Sequence, residues 1–328
     1  MKILLIYSFL LIACETVIAA NEHQTIIDIV NAARAKWKAG HNFAENTPLF
    51  SMKRLLGLKR SFLTIKLVRE KHPIPDSEIP EEFDAREQWP ECTSIRQIRN
   101  QGNCGSCWAV AAAAAFSDRL CVATEGNFTL PLSAEELLAC CKTCGEGCEG
   151  GSTYEAWRYF VNHGIVTGGE YNQQVGCQPY EIGTITDKEG LLYIPSESDT
   201  PACEKSCTNP SYPVSYSNDH HKTESVYGLK DMKEIQKEIM KHGPVEAGFT
   251  VYSDFMTYKS GVYHHVTGEV LGGHAVRIIG WGVEDDTPYW LAANEWGEAW
   301  GENGFFRILR GNNECDFESE VFTGVPKL

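Results

Sequence analysis

The chain has 328 residues, of which 43% are hydrophobic and 22% charged, a composition that supports a sizeable core and excludes wholesale disorder or a fibrous repeat. One or two globular domains fit this length. Lys and Arg number 29 against 44 Asp and Glu, so the formal net charge is −15 at pH 7. An acidic chain of this kind is not built to coat nucleic acid or an anionic membrane surface, and we expect no polyanionic partner.

The first twenty residues are typical of a cleaved signal peptide. A basic residue precedes the apolar stretch from Ile3 to Cys14, and the segment ends on the small residues Ala19 and Ala20. A membrane anchor is the alternative, but it needs about 20 apolar residues, and Glu15 interrupts the stretch. We therefore predict a signal peptide over residues 1–20 and an exported protein without a membrane span.

Thirteen cysteines indicate an oxidising compartment, because free thiols at this density are unusual in a reducing cytosol. The prediction is the secretory pathway, with the lysosome or the extracellular space as destination. The cluster Cys140, Cys141, Cys144 and Cys148 admits disulfides or a zinc site, because C-x-x-C is a common zinc-ligand spacing. No second such pair and no histidine pair lies nearby, which favours disulfides, although spacing alone does not assign partners.

Charge divides the remaining chain into a leader, residues 21–78, and a body, residues 79–328. The leader holds ten Lys and Arg against six Asp and Glu, a net charge of +4, whereas the body holds 18 against 37, a net charge of −19. The two parts should attract each other. We interpret the leader as a detachable propeptide; an ordinary N-terminal subdomain is the alternative.

Local patterns in the leader predict one helix and one junction. Apolar residues at helical spacing predict a helix: Ile26, Ile29, Val30, Ala33 and Trp37. Gly40 is well placed to end this helix. The prolines Pro73, Pro75 and Pro80 are typical of a linker or cleavable junction before the body.

The body is helical in its first half and rich in strands in its second. The alanine run Ala111–Ala115, with Trp108 and Phe116 beside it, predicts a helix. A surface helix is predicted over Asp231–Lys241, and antiparallel strands over His274–Gly282, Pro288–Ala293 and Gly304–Leu309. This order predicts an α+β fold with a cleft between two lobes.

Three residues of the body together indicate nucleophilic catalysis. Cys107 directly precedes the alanine-rich helix, where the helix dipole favours a thiolate. His274 opens an apolar strand after two glycines and is a candidate base, and Asn294 follows another strand and is a candidate to orient the imidazole. Each residue alone also has a purely structural explanation; the combination is more specific.

The segment from Cys104 to Trp108 matches the signature around the nucleophile of papain-like cysteine peptidases, and the chain resembles their cathepsin B-like members. The resemblance extends over nearly everything after the signal peptide, including residues 36–43, 83–90, 251–255 and 304–311. It implies a papain-like fold with a helical N-terminal lobe and a β-rich C-terminal lobe, preceded by a helical, inhibitory propeptide.

The same resemblance implies a role for several residues. Cys107 would be the nucleophile, His274 the general base and then acid, Asn294 the residue that orients His274, and Gln101 an oxyanion donor together with the Cys107 N–H. The resemblance implies that Gly150, Gly151, Trp296 and Glu320 bind the substrate. Of these, Glu320 would lie at the base of the pocket for the second residue before the scissile bond and accept arginine as well as apolar groups.

Resemblance also implies five disulfides: Cys92–Cys121, Cys104–Cys148, Cys140–Cys203, Cys141–Cys144 and Cys177–Cys207. Cys107 and Cys315 would stay unpaired. Asn127 begins an Asn-Phe-Thr sequon, so a surface glycan is predicted. The implied chemistry needs no metal and no organic cofactor.

Two departures from the family pattern bear on activity. Residues 178–202, where related enzymes carry an occluding loop with a His-His pair, contain neither histidine nor cysteine. We therefore expect a mobile, weakly anchored loop and an endopeptidase with little or no carboxydipeptidase activity; His220 and His221 lie elsewhere and are interpreted as a solvated surface pair. In addition, Glu295 stands where the family usually has serine; its charge would stabilise an imidazolium or disturb the packing around Gln101.

The resulting prediction is a monomeric zymogen, secreted or lysosomal, that becomes a cysteine endopeptidase. Its expected partners are peptide and protein substrates, its own propeptide and cystatin-type inhibitors. The alternative is a catalytically weak papain-like protein that binds peptides or inhibitors, which only Glu295 and the altered loop favour. An acyltransferase or amidase with the same Cys–His chemistry has no specific support in the sequence.

Overall fold

A computed structural model of the chain describes residues 22–44, 47, 49–60, 72–183, 191–192 and 198–328. The predicted signal peptide, and residues 184–190 and 193–197 of the predicted 178–202 loop, lie outside these residues. In the part that is described, no helix is both long and apolar enough to cross a membrane.

The described ranges contain seven α-helices: α1 (22–32), α2 (Leu49–Met52), α3 (Ala85–Gln88), α4 (Cys107–Ala123), α5 (Ala134–Cys140), α6 (Thr153–Asn162) and α7 (Met232–His242). Within the same ranges, 3₁₀ turns cover Lys53–Leu55, Asp76–Glu78, Thr93–Arg96, Gly147–Glu149, Tyr216–Asn218, Ser253–Thr257 and Glu314–Asp316. Eleven strands are described: β1 (Trp37–Ala39), β2 (Phe83–Asp84), β3 (Lys222–Thr223), β4 (Tyr227–Leu229), β5 (Val245–Tyr252), β6 (Tyr258–Tyr263), β7 (Val270–Glu284), β8 (Thr287–Ala293), β9 (Phe305–Leu309), β10 (Glu320–Thr323) and β11 (Pro326–Lys327).

Nine of the described strands form one sheet in the order β1-β6-β9-β8-β7-β5-β10-β4, with β2 paired to β7; β3 and β11 form a small second sheet. The predicted strands correspond to β7, β8 and β9 and are antiparallel, whereas β6 and β9 run parallel. One hydrophobic core lies on the large sheet and another lies among α4, α5 and α6. The α+β prediction with two lobes is confirmed.

Helix α4 lies between the two lobes. Every residue from Cys107 to Cys121 is buried, and α4 contacts α5 and α6 on one side and β7 on the other. The predicted helix is confirmed, but it is buried on all sides rather than along one face. The run Ala111–Ala115 fits this position because small side chains let neighbouring elements approach the helix backbone closely.

The leader is an integral part of the fold. Strand β1 pairs antiparallel with β6 and extends the large sheet at its edge. The Trp37 indole contacts the rings of Tyr258 and Tyr263, and its Nε1 donates a hydrogen bond to the His264 carbonyl at 2.9 Å. Leader residues therefore complete the core of the β-rich lobe.

The predicted leader helix is wrong beyond residue 32. Arg34 has a left-handed φ of 52°, and Trp37 lies in β1 instead of continuing the helix. Strand pairing and burial of the indole outweigh the local helical spacing. Further on, Pro73, Pro75 and Pro80 are exposed, as a cleavable junction requires.

Asp231 caps α7, the helix predicted over Asp231–Lys241. Its carboxylate accepts hydrogen bonds from the backbone N–H groups of Lys233 and Glu234 at 3.0 and 3.2 Å. Replacing Asp231 with alanine should lower the free energy of unfolding by about 1 kcal/mol, because the helix loses its cap. Calorimetry of the full chain, carrying Cys107→Ala as background, should show a Tm about 2–4 °C lower. Asp231→Asn keeps an acceptor and should melt like the parent; an unchanged Tm in Asp231→Ala would contradict the cap.

Candidate active site

Cys107 is the first residue of α4, follows the N-cap residue Ser106, and is fully buried. The predicted position at a helix N-terminus is therefore present. Around the thiol pack Leu58 from the leader, Ala111 from the same helix and Ala275 from β7.

His274 and Asn294 come from neighbouring strands. His274 lies on β7, Asn294 directly follows β8, and the two strands are paired. The Nε2 atom of His274 is 2.8 Å from Oδ1 of Asn294, and the Trp296 ring lies 4.7 Å from the imidazole. Because an amide oxygen accepts hydrogen bonds, this contact fixes the tautomer with hydrogen on Nε2 and leaves Nδ1 able to exchange a proton.

Gln101 is buried, and its side-chain amide donates hydrogen bonds to two carbonyl groups. The Nε2 atom is 2.9 Å from the Leu55 carbonyl of the leader and 2.6 Å from the Cys104 carbonyl. Tyr180 Oη donates to the Gln101 carbonyl at 3.0 Å and lies 2.7 Å from Ser106 Oγ. No local sequence pattern marks Tyr180, so its support of Gln101 is not predictable from the sequence.

The leader crosses the cleft as an extended chain. Gly151 N–H donates to the Gly57 carbonyl at 2.9 Å, and the Gly151 carbonyl accepts from Lys59 N–H at 2.8 Å. On the opposite lobe, Leu58 N–H donates to the Gly273 carbonyl at 3.1 Å. Gly150 has a φ of 103°, and a Cβ at this position would lie 2.6 Å from the Gly57 carbonyl oxygen. Both glycines predicted to bind a substrate backbone thus contact the leader backbone.

Glu320 lies on β10 beside the leader. Its carboxylate is 3.5 Å from Nε of Arg60, which also pairs with Asp316 at 2.9 Å. Burial raises the pKa of Glu320, and the Arg60 charge opposes that shift. A Cβ on the neighbouring Gly248 would lie 2.6 Å from the Leu58 side chain and 3.2 Å from the Glu320 carboxyl carbon, so the glycine keeps a pocket open here.

Burial favours the neutral forms of Cys107 and His274 in this closed form. It raises the pKa of the Cys107 thiol to about 12, against opposing backbone hydrogen bonds from Ala275 and Gly57. It also lowers the pKa of His274 to about 4, against opposing hydrogen bonds to Asn294 and Leu55. The thiolate expected from the helix N-terminus therefore does not form while the leader covers the site.

Glu295 is buried beside His274. The Glu295 Oε2 atom lies 3.7 Å from Nε2 of His274, and neither carboxyl oxygen has a hydrogen-bond partner in the described part of the chain. Burial raises the pKa of this carboxyl well above its usual value, and Arg277 and Arg99 oppose the shift. Gln101 N–H donates to the Glu295 carbonyl at 2.9 Å, so Gln101 stays anchored to this residue rather than displaced by it.

All five disulfide pairings implied by the resemblance are present in the structure. The four clustered cysteines are all in disulfides, so they do not form a zinc site. Among the described cysteines, Cys107 and Cys315 are free. Asn127 of the predicted sequon is exposed.

His220 and His221 are partly buried, which corrects the interpretation as a solvated surface pair. His220 Nε2 lies 3.1 Å from the buried Glu136 carboxylate, and the His221 ring packs 4.5 Å from the Phe128 ring. His220 therefore pairs with a buried acid, and His221 packs against an aromatic side chain.

Known proteins that resemble this chain are papain-like in sequence and in fold. The papain family cysteine protease domain matches residues 79–325, and the peptidase family C1 propeptide matches residues 23–61. Cathepsin B-like cysteine proteinase 4 of Caenorhabditis elegans is 46% identical over the full length of both chains. Cathepsin B-like cysteine proteinase 6 of the same organism is 50% identical over 77% of this chain and 68% of its own.

Solved structures give the same result. Procathepsin B S9 from Trypanosoma congolense matches with a TM-score of 0.80 at 38% identity, over 93% of this chain and 98% of that one. Digestive procathepsin L 3 of Tenebrio molitor shares the fold with a TM-score of 0.69 at 20% identity, over 97% of this chain and 93% of its own. The chain belongs to the papain family of cysteine peptidases and carries the propeptide of a zymogen.

Proposed function

We propose that the chain matures into a cathepsin B-like cysteine endopeptidase in which Cys107, His274, Asn294 and Gln101 form the catalytic site. The observation that carries this proposal is the leader backbone in the cleft. A carbonyl group, that of Leu55, already lies 2.9 Å from the Gln101 side-chain donor. A peptide thus occupies the groove with a carbonyl oxygen on the donor that an oxyanion needs.

The mechanism follows from this arrangement once the leader has left. His274 takes the thiol proton, and the Cys107 sulfur attacks the peptide carbonyl carbon, so a C–S bond forms. The Gln101 side chain and the Cys107 N–H hold the oxyanion. His274 then protonates the leaving amine as the C–N bond breaks. Water hydrolyses the thioester, and its proton returns through His274 to the sulfur.

We expect the enzyme to accept arginine at the second residue before the scissile bond. The Arg60 guanidinium lies 3.5 Å from the Glu320 carboxylate, which supports recognition of a basic side chain there. Because the 178–202 loop lacks histidine, no cation of that kind awaits a substrate carboxylate. Internal cleavage should therefore dominate over removal of C-terminal dipeptides, and a substrate with a free C-terminal carboxylate should gain nothing over its amide.

We further propose the maturation and the location that the sequence patterns predict. Residues 1–20 are a signal peptide, 21–78 the inhibitory propeptide, and 79–328 the mature peptidase, which reaches the lysosome or the extracellular space as a monomer. Cystatin-type inhibitors would compete for the groove that the leader fills. Glycosylation at Asn127 is compatible with its exposure.

Leader release is expected to accelerate as the pH falls. Burial in the closed form lowers the pKa of His274 to about 4, so the closed form is favoured while this ring is neutral. Below the usual value near 6.5, protons bind preferentially to the open form, so opening is increasingly favoured between pH 6.5 and 4. Salt should add to the effect, because ion pairs such as Lys59–Glu146 hold the leader to the body at exposed positions.

The measurement uses the Cys107→Ala zymogen, nicked at its exposed junction by an added protease. Leader dissociation is followed by size-exclusion chromatography at pH 7 and pH 6, at low and high ionic strength. We expect it to be severalfold faster at pH 6, in line with the linkage of a single buried histidine. Release that responds to neither variable would contradict the model of electrostatic and histidine-linked closure.

The decisive test of the function is turnover of an arginine-containing dipeptidyl fluorogenic amide by the acid-processed protein. Cys107→Ala should reduce turnover by roughly 10⁴-fold or more. Cys315→Ala is the matched control, because Cys315 is the other free cysteine in the described residues, and it should retain activity. Folded, leader-free protein without turnover on this substrate or a peptide library would favour the weakly catalytic binding protein.

A further inference from the structure

A second group of candidate metal ligands lies outside the catalytic cleft, where the end of the leader contacts α7. His72 of the leader, with Glu238 and His242 of α7, offers three potential ligand atoms within 4.8 Å of one another. In the described part of the chain this is the one such group of three or more His, Cys, Asp or Glu residues.

The geometry of the group is set by one helix and one crossing segment. Glu238 and His242 are four residues apart on α7 and therefore share a face of the helix. The side chains of His72 and Glu238 are fully buried, and His72 Nε2 lies 2.6 Å from Glu238 Oε2. His242, at the end of the helix, is partly exposed and gives the site a route to solvent.

Three potential ligand atoms of this group form no hydrogen bond. Nε2 of His72, Oε2 of Glu238 and Nε2 of His242 are all buried, and none has a hydrogen-bond partner among the described residues. Buried polar atoms of this kind are uncommon in native proteins and call for a specific explanation, such as an ion or water. Here they belong to two imidazole rings, whose centres are 6.1 Å apart, and to the carboxylate beside them.

The carboxylate itself is held in position by other residues. Arg119 Nη2 donates to Glu238 Oε1 at 2.5 Å, and Tyr227 Oη donates to the same oxygen at 2.8 Å. Both contacts are made to Oε1, so Oε2 faces His72. Glu234 also accepts a hydrogen bond from the His72 backbone N–H at 3.2 Å. Supporting contacts of this type orient the ligands in metal sites.

We propose that His72, Glu238 and His242 form a zinc site that fastens the leader to the mature body. Two imidazole nitrogens and one carboxylate oxygen are a common zinc donor set, with a water molecule in the fourth position. Calcium and magnesium prefer shells of oxygen ligands. Bound zinc would replace the direct contact between His72 Nε2 and Glu238 Oε2 and move those two atoms from 2.6 Å apart to about 3.3 Å.

The site would exist only in the zymogen, because His72 belongs to the leader. Cleavage at the exposed junction and loss of the leader remove one of the three ligands, so zinc should bind the zymogen more tightly than the mature enzyme. By linkage, zinc then stabilises the closed form and slows maturation. The metal has no part in peptide hydrolysis, and the proposal stands apart from the catalytic roles assigned above.

The test is a titration of the full-length zymogen with zinc chloride, measured by isothermal titration calorimetry at pH 7. All proteins carry Cys107→Ala, so that the catalytic thiol cannot bind the metal. We expect one zinc ion per chain, and His72→Gln and His242→Gln should each weaken binding at least tenfold. His163→Gln, at an exposed histidine, is the matched control and should bind like the parent. Nicked protein from which the leader has been removed should also bind at least tenfold more weakly.

No binding by the parent, or binding that survives both substitutions, would overturn the proposal; in the second case other residues bind the metal. If His72→Gln does not fold, His242→Gln decides the matter, because His242 is the partly exposed ligand at the helix end. Cobalt(II) provides an independent readout. The parent should show visible absorption of a four-coordinate nitrogen and oxygen site, and His242→Gln should lose it.

Discussion

Replacing Gly57 with alanine is expected to expose the Cys107 thiol, the proposed nucleophile, in the unprocessed zymogen. A Cβ at this position would lie 1.7 Å from the carbonyl oxygen of Gly105 and 2.3 Å from its carbon. Backbone atoms cannot rotate away, so the leader must lift from the cleft and lose the hydrogen bond between Gly57 and Gly151. The clash should disfavour the closed form by about 3 kcal/mol, which corresponds to about a hundredfold.

The measurement is the rate at which an epoxide thiol reagent labels Cys107 in the intact chain, followed by mass spectrometry so that processed protein is counted separately. Gly57→Ala should be labelled about a hundredfold faster than the parent. Gly40→Ala is the matched control, because its Cβ would meet only the flexible Lys259 side chain, at 3.0 Å. Equal labelling of the parent and Gly57→Ala would show that the leader does not close the cleft at this residue.

Replacing Glu295 with glutamine is expected to move both limbs of the pH profile of kcat/KM to lower pH. The carboxyl group lies 3.7 Å from His274 Nε2 in the closed form. Burial is the main cause of the raised pKa of the Cys107 thiol, and the charge of an ionised Glu295 adds to it. An ionised Glu295 in the mature enzyme would also stabilise the imidazolium and raise the pKa of His274. Removal of that charge lowers both values. Coulomb energies of about 1–4 kcal/mol at this distance correspond to about one pH unit or more.

Kinetics of the mature enzyme between about pH 4 and 9 test this prediction, with Glu298→Gln as the control for an exposed carboxylate nearby. Glu298→Gln should overlay the parent. At a pH on the alkaline flank, Glu295→Gln should be about tenfold slower than the parent. A profile of Glu295→Gln that overlays the parent would mean that Glu295 remains protonated and contributes no charge to the mechanism.

Several features of this protein follow from its sequence by itself. The alanine run predicted α4, the apolar segments predicted β7, β8 and β9, and the charge difference predicted attraction between leader and body. These features depend on residue type and on spacing along the chain, which local propensity and periodicity report directly. The signature around Cys107 likewise identified the family, because a short motif carries the chemistry that the site requires.

Only the tertiary structure decided the features that arise between distant segments. Trp37 lies in a strand, although its spacing predicts a helix, because its indole packs against the rings of Tyr258 and Tyr263. Burial, to which Leu58 of the leader contributes, raises the pKa of the Cys107 thiol to about 12 despite its position at a helix N-terminus. No sequence pattern near His72 predicts that it lies against α7. The burial of a residue, its pKa and the geometry of a ligand set depend on side chains that are distant in the sequence and packed against the residue. The pattern of residues along the chain does not contain that information.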